Sequence, residues 1–491
     1  MKILISGINT AGFIYNFGRG FSELGHDVKT AAFSSNEFYD HNFSFVFAPN
    51  TFVQGQNNTS LEPSKEFFSF IENFDLFIFI SGQTLLPGMY DLPILHEMGK
   101  KVIIRNTGSC TRFIYPSSLA WNYAGAPFNI ALPELLELAR PSRDWRKPAA
   151  YMSGLVYVYH LAPKLYKECM SALYADVIAN CSAHSSLGFS PFFAAVNTFD
   201  PDGCSPMIPA RKTPVILHAP SREAFKGTSV IEACLNELRE EGLDFDYIRP
   251  PKVPSKQLQK TLQLADIVID QLACGGHGIL ANESMACGCA VLGGNNADMS
   301  PIPFHRPVIP IDRNNLKEQI RRAVLDIPFR VRVAEAGIEY VNRVHRPATS
   351  ASYMLSCLER AKDASYDYYP SLFLDNPFRP DYKQWLAQTH ARLYAPDVDD
   401  AEALLNHRRD GLPEFLHGLF GKALFKAGVH PDTDMDKFVR EFELKNIQPH
   451  LLPRWDTSKL KRVNPWLSLG DTAGKGLPDK ELIPYEELAQ P

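Results

Sequence analysis

Long apolar runs are missing from this sequence. No stretch approaches the ~18 consecutive apolar residues that would span a bilayer, so any membrane contact is expected to be peripheral. Excess positive charge is missing too. Lys and Arg number 50 against 55 Asp and Glu, a net charge of −5, which argues against nucleic acid as a partner. The nine cysteines are scattered, with no two-pair metal spacing; Cys274, Cys287 and Cys289 read as small core thiols of a reducing cytoplasm. The first apolar run is not followed by a strict G-x-G-x-x-G, so a nicotinamide cofactor lacks its fingerprint. Internal repeats and low-complexity segments are absent. The opening residues 1–7 carry too short an apolar run and no small-residue cleavage site for a leader, and read as the first strand of a folded domain. The expected location is the cytoplasm, or the inner face of a membrane where lipid is engaged.

What is present is globular. The chain has 491 residues, 45% apolar and 21% charged, enough for two or three domains. Residues 3–6 form a short apolar run, followed by a turn with Gly7 and Gly12. Phe13, Phe17, Phe21 and Leu24 then recur at helical spacing up to Gly25. Further apolar runs at 28–33, 43–47, 76–80, 102–105 and 177–180 alternate with helical segments, which predicts a parallel sheet covered on both faces. Residues 196–213 hold Pro201, Pro206, Pro209 and Gly203 and read as a linker. A second α/β unit begins at Pro214 and continues to residue 365. Residues 366–491 change character, with aromatics and prolines, then short helices, then an irregular end; they read as an accessory helical region. The expected fold class is α/β, with Rossmann-like domains over 1–195 and 214–365.

The chemistry concentrates in the second unit. Its strand at 215–217 runs into a turn holding Arg222 and Lys226, and Gly227 opens a helix. A second strand at 267–269 runs into Gly275, Gly276, His277 and Gly278, and a helix starts at Ile279 with Glu283 inside its second turn. Cations pair with phosphate oxygens, and a glycine-rich helix start adds N–H donors and a favourable dipole. A carboxylate just behind such a turn is placed to accept ribose hydroxyls. These residues describe a nucleotide-diphosphate site. His277 lies in the turn and is placed to donate to phosphate; His218, at a strand end, reads as a lesser donor or a local hydrogen-bond partner. Asp244-Phe245-Asp246 and Asp432-Thr433-Asp434 lie away from the ligand edge, so no catalytic metal and no cofactor are expected.

This stretch resembles the donor domain of GT-B glycosyltransferases, nearest to glycosyltransferase family 4. Arg222 and Lys226-Gly227 match the Arg and Lys-Gly that contact the donor phosphates there. Glu283 to Val291 matches the second half of the family's paired-glutamate motif. The first glutamate of that motif would stand at position 275, which is Gly275. The resemblance implies that the turn after the first strand, with Gly12, lines the cleft near the transferred group; the alternative is a plain turn glycine. It implies that the loop of Arg249 and Val253 faces the base, and that a helix after His345 crosses back to the first domain. The segment around Ser109 and Arg112 resembles an acceptor-side turn of related enzymes; a solvated arginine is the alternative. The implied activity is metal-independent, retaining transfer of a sugar from a nucleotide-diphosphate donor to a glycan, lipid-linked or protein acceptor. A nucleotide-sugar epimerase and a nucleotide-sugar-binding protein without transferase activity are the alternatives.

Overall fold

The computed structural model describes residues 1–34, 36, 38–39, 41–48, 51–54, 62–86, 89, 91–107, 167, 170–172, 174–181, 192–195, 197–221, 223–272, 276–295, 306–312, 314–362, 366 and 482–490. Two parallel sheets organise them. The first has strands β1 (Lys2–Gly7), β2 (Asp27–Ala32), β3 (Phe45–Val46), β6 (Leu76–Ile80), β7 (Lys101–Asn106), β8 (Val177–Cys181) and β9 (Phe193–Ala195), in the order β3-β2-β1-β6-β7-β8-β9. Strands β4 (Val53–Gln54) and β5 (Glu62–Pro63) form a separate antiparallel pair. The second sheet has β10 (Val215–Leu217), β11 (Asp246–Ile248), β12 (Ile267–Ile269), β13 (Ala290–Gly293) and β14 (Val308–Pro310), in the order β11-β10-β12-β13-β14. Every neighbouring pair within the two sheets is parallel.

The local causes are those of doubly wound sheets. The central strands are apolar along their length because helices cover both faces; Leu76 to Ile80 are all buried. The helix α1 (Phe13–Glu23) buries Phe13, Phe17 and Phe21 and stops where Gly25 takes a φ of +83°. In each sheet the strand order reverses once near its middle, between β1 and β6 and between β10 and β12. Ligands of open α/β sheets bind beyond the carboxyl ends of the strands at such a reversal. Two parallel-sheet domains, each with one reversal, make the GT-B architecture.

The domains are joined by more than the linker. Helix α9 (Ile327–Val344) packs on α7 (Ile279–Ala286), and α10 (Pro347–Lys362) crosses to lie against α1. A Cβ on Gly20 would sit 2.2 Å from the Pro347 carbonyl oxygen, so the crossing depends on the missing side chain. One apolar cluster runs from Ile5 and Phe17 in the first domain through Met354 and Tyr340 to Met285 in the second. Tyr366 packs on Phe193 with ring centroids 5.0 Å apart.

The sequence placed residues 366–491 in one accessory region. Their last described part differs: α11 (Tyr485–Ala489) belongs to the second domain, with Ile483 and Leu488 buried in its core. The Gln319 amide donates to the carbonyls of Ala489 and Gln490 at 3.1 and 3.2 Å, and Arg322 donates to those of Glu487 and Gln490 at 2.7 and 2.6 Å. Two buried apolar side chains are too few for a periodic sequence signal, so only the packing reveals them.

Candidate nucleotide-diphosphate site

The site is built at the reversal of the second sheet. Lys226 ends the short helix α4 (Glu223–Lys226) after β10, and Gly227, with a φ of +76°, starts α5 (Thr228–Glu240). A Cβ on Gly227 would meet Leu272 Cβ at 2.8 Å, so only glycine lets this turn approach the turn after β12. The Lys226 ammonium donates to Asp270 Oδ1 at 2.7 Å and to Gln271 Oε1 at 2.8 Å. Asp270 is fully buried at the end of β12, and its other oxygen accepts the Gly278 N–H at 2.5 Å. The Gln271 amide donates to the Gly276 carbonyl. The cation from the first strand–turn–helix unit and the glycine turn of the second are thus held by one carboxylate and one amide. Asp270 and Gln271 were not singled out in the sequence; a polar pair directly after a three-residue apolar strand was the available signal.

His277 lies in the turn, with Nε2 3.0 Å from Asn282 Oδ1 and its ring edge-on to His345, centroids 6.1 Å apart. Burial, reinforced by Arg306 and His345, holds it well below the ordinary histidine range, so it is neutral at pH 7. Its Nδ1 is buried without a hydrogen-bond partner among the described residues, an atom that a bound ligand would satisfy.

Glu283 sits in α7, 2% exposed. Its carboxylate accepts from the Ser255 hydroxyl at the start of α6 (Ser255–Leu262) and from the Tyr39 hydroxyl of the first domain. The Ser255 N–H also donates to the Phe38 carbonyl at 2.9 Å. Burial pushes the Glu283 carboxyl up to about 7, against the opposing hydrogen bonds from Ser255 and Tyr39. Two donors leave acceptor capacity on an ionised carboxylate, which has about four lone-pair sites.

Other expected positions fall differently. His218 is buried and spends both ring nitrogens on the protein, Nδ1 at 2.7 Å from the Ile269 carbonyl and Nε2 at 2.9 Å from Thr228 Oγ1. It ties β10 to β12 and to the start of α5, so it is a strut rather than a phosphate donor. Burial lowers its pKa, consistent with a neutral ring. The Gly278 N–H, expected to face a phosphate, is taken by Asp270. Arg249 pairs with Glu223 and, at 3.0 Å, with Glu232 on the open edge of the domain. Val253 is half-buried in the same loop, just before α6. Ile279 opens α7 beside Gly278, as expected. Arg222, Gly275, Ser109 and Arg112 lie outside the described residues. Among the described residues no three His, Cys, Asp or Glu side chains cluster as metal ligands, and no helix is long and apolar enough to cross a membrane.

The reversal of the first sheet carries hydroxyls. Thr10, Ser81 and Thr107 follow β1, β6 and β7; Thr10 Oγ1 and Ser81 Oγ lie 3.3 Å apart, and Ser81 Oγ and Thr107 Oγ1 2.6 Å. Ser81 holds a φ of +62°, a conformation costly for a residue with a side chain and concentrated at functional sites. Gly12 caps α1 at a φ of +69°, and a Cβ there would press on His41 at 3.1 Å and on Tyr39 at 3.4 Å. Its missing side chain makes room for the loop that reaches Glu283. Gly12 stands out in the sequence as a turn glycine, whereas the hydroxyl group is assembled only by sheet order.

No protein-family model and no curated protein matches the chain. Solved structures similar to it include a sucrose-phosphate synthase from Thermosynechococcus elongatus, 13% identical, covering 74% of this chain and 100% of that one at a TM-score of 0.46. WaaG, a glycosyltransferase involved in lipopolysaccharide biosynthesis, is 13% identical, with 72% and 99% covered and a TM-score of 0.37. The catalytic domain of starch synthase IV from Arabidopsis thaliana is 10% identical, with 74% and 99% covered and a TM-score of 0.38.

Proposed function

We propose that the protein is a GT-B glycosyltransferase that moves a sugar from a nucleotide-diphosphate donor, held by the second domain, to a glycan, lipid-linked or protein acceptor presented by the first. The observation that carries this reading is the Lys226 ammonium, fixed beside the glycine turn at the reversal of the second sheet. As the bond from sugar to phosphate breaks, negative charge grows on the diphosphate. Lys226 and Arg222 stabilise that charge, which is electrostatic catalysis without a metal. Neutral His277 gives its Nε2 proton to Asn282 Oδ1, so the unpaired Nδ1 is an acceptor, suited to a hydroxyl of the donor sugar rather than to a phosphate oxygen. Glu283, in its ionised form, accepts ribose hydroxyls. The hydroxyls of Thr10, Ser81 and Thr107 mark the acceptor side. Retention of configuration is the stereochemical outcome the family-4 resemblance implies.

Calorimetry with UDP, ADP, GDP and CDP tests the donor half. Charge-assisted hydrogen bonds contribute about 1.5–3 kcal/mol each, so Arg222→Ala and Lys226→Ala should each weaken the tightest of these about tenfold to a hundredfold. Unchanged affinity in both variants refutes the assignment. Incubating the donor nucleotide sugar without acceptor separates transfer from epimerisation, because an epimerase would convert the donor alone.

A further inference from the structure

Asp270 is the least expected group in the site, because a buried carboxylate stands where a diphosphate is to bind. Its two oxygens serve different elements. Oδ1 accepts from Lys226 Nζ at 2.7 Å, and Oδ2 accepts the Gly278 N–H at 2.5 Å. Lys226 belongs to the turn after β10 and Gly278 to the turn after β12, so this side chain is the bridge between the two phosphate-facing devices. A carboxylate suits both donors at once. An amide of the same size does not, since its NH2 end must face either the ammonium or the N–H, donor against donor. Gln271 Oε1 takes a second ammonium proton at 2.8 Å, and an ammonium has three, so one remains to be directed at a ligand. Gly278 completes the fit: a Cβ there would lie 3.2 Å from both Asp270 Oδ2 and Lys226 Nζ, although its φ of −90° would tolerate any residue.

We infer that Asp270 is the positioning residue of the nucleotide-diphosphate site, aiming the third Lys226 proton and the Gly276–Gly278 turn at the same phosphate group. The assignment rests on the reading of this site as the donor site. Asp270 touches no substrate; it acts through Lys226 and Gly278. Because both act through one carboxylate, their contributions are not independent, and coupled groups depart from additivity.

The experiment is a double-mutant cycle on the full chain, read by calorimetry with the tightest of UDP, ADP, GDP and CDP. Asp270→Asn is expected to weaken binding at least tenfold. In its background Lys226→Ala is expected to cost little more, since the ammonium is already misdirected. A residue that merely stabilised the fold would lower the melting temperature and leave the affinity of the folded protein and the cost of Lys226→Ala unchanged, which would overturn the proposal. Gly278→Ala gives the same test without altering a charge and serves if Asp270→Asn does not fold; it should displace the pair and weaken binding several-fold. Nucleotide affinity equal to wild type in Gly278→Ala would also overturn it. If the unaltered protein bound none of the four diphosphates, the reading of the site would fail, and this assignment with it.

Discussion

Glu283 carries the sharpest consequence at the scale of a single residue. Its carboxyl is raised by burial from an ordinary 4.5 to about 7. Between those values the folded protein holds a proton that the unfolded chain has released. Stability therefore falls as pH rises through this window and levels off above it. The offset corresponds to about 3 kcal/mol at alkaline pH. Glu283→Gln removes the burden of ionising this site, so it should stabilise the protein at pH 8 and change little near pH 4; urea unfolding at both values measures this. The same variant should bind nucleoside diphosphate more weakly, because a carbonyl accepts ribose hydroxyls less strongly than a carboxylate. In the unaltered protein that binding should strengthen from pH 6 to pH 8 as Glu283 ionises. A flat profile would place the ribose elsewhere.

Among elements, the return of the chain to the second domain changes what the C-terminal region means. Leu488 is fully buried against the core that holds β12 and β14. Leu488→Ala should cost about 2–5 kcal/mol of stability, the range for buried leucines, and leave nucleotide affinity of the folded protein intact. Removing residues 482–490 should be worse, because Gln319 and Arg322 lose carbonyl partners along with the apolar contacts. A truncation at residue 365, the domain boundary read from the sequence, removes part of the second domain's core. Denaturation of the truncated chain followed by circular dichroism checks this.

For the whole molecule, the crossing of α10 over α1 sets how the two sheets face each other. Asp202 receives Arg19 at 3.1 Å and Arg346 at 2.8 Å, but these are exposed pairs of small worth. The close approach at Gly20 matters more, since bulk there meets backbone rather than a movable side chain. Gly20→Val should displace α10, lowering transfer more than nucleoside diphosphate binding, because the donor residues all lie in the second domain. Equal losses in both would contradict that division. Transfer should also persist in EDTA, since Lys226 and Arg222 supply the charge; loss on chelation with recovery on manganese would require a metal instead.

Much of this was legible beforehand, and the rest was not, for one physical reason. Strands β10 and β12 were readable to the residue, because a strand covered on both faces must be apolar at every position. Lys226, Gly227, Gly276, His277, Gly278 and Glu283 could be singled out because each turn and helix start is a short local segment whose residues lie within a few positions of one another. Partners brought together from distant segments leave no such trace. Asp270 meeting Lys226, Tyr39 meeting Glu283, Thr10 meeting Ser81 and Thr107, and Leu488 entering the core of the second domain are contacts between residues tens to hundreds of positions apart. The sequence by itself determined which strands and helices form and where the glycine turns stand between them. Strand order and packing decided which side chains share each turn, because side-chain contact depends on distance in space, and only the folded chain sets that distance.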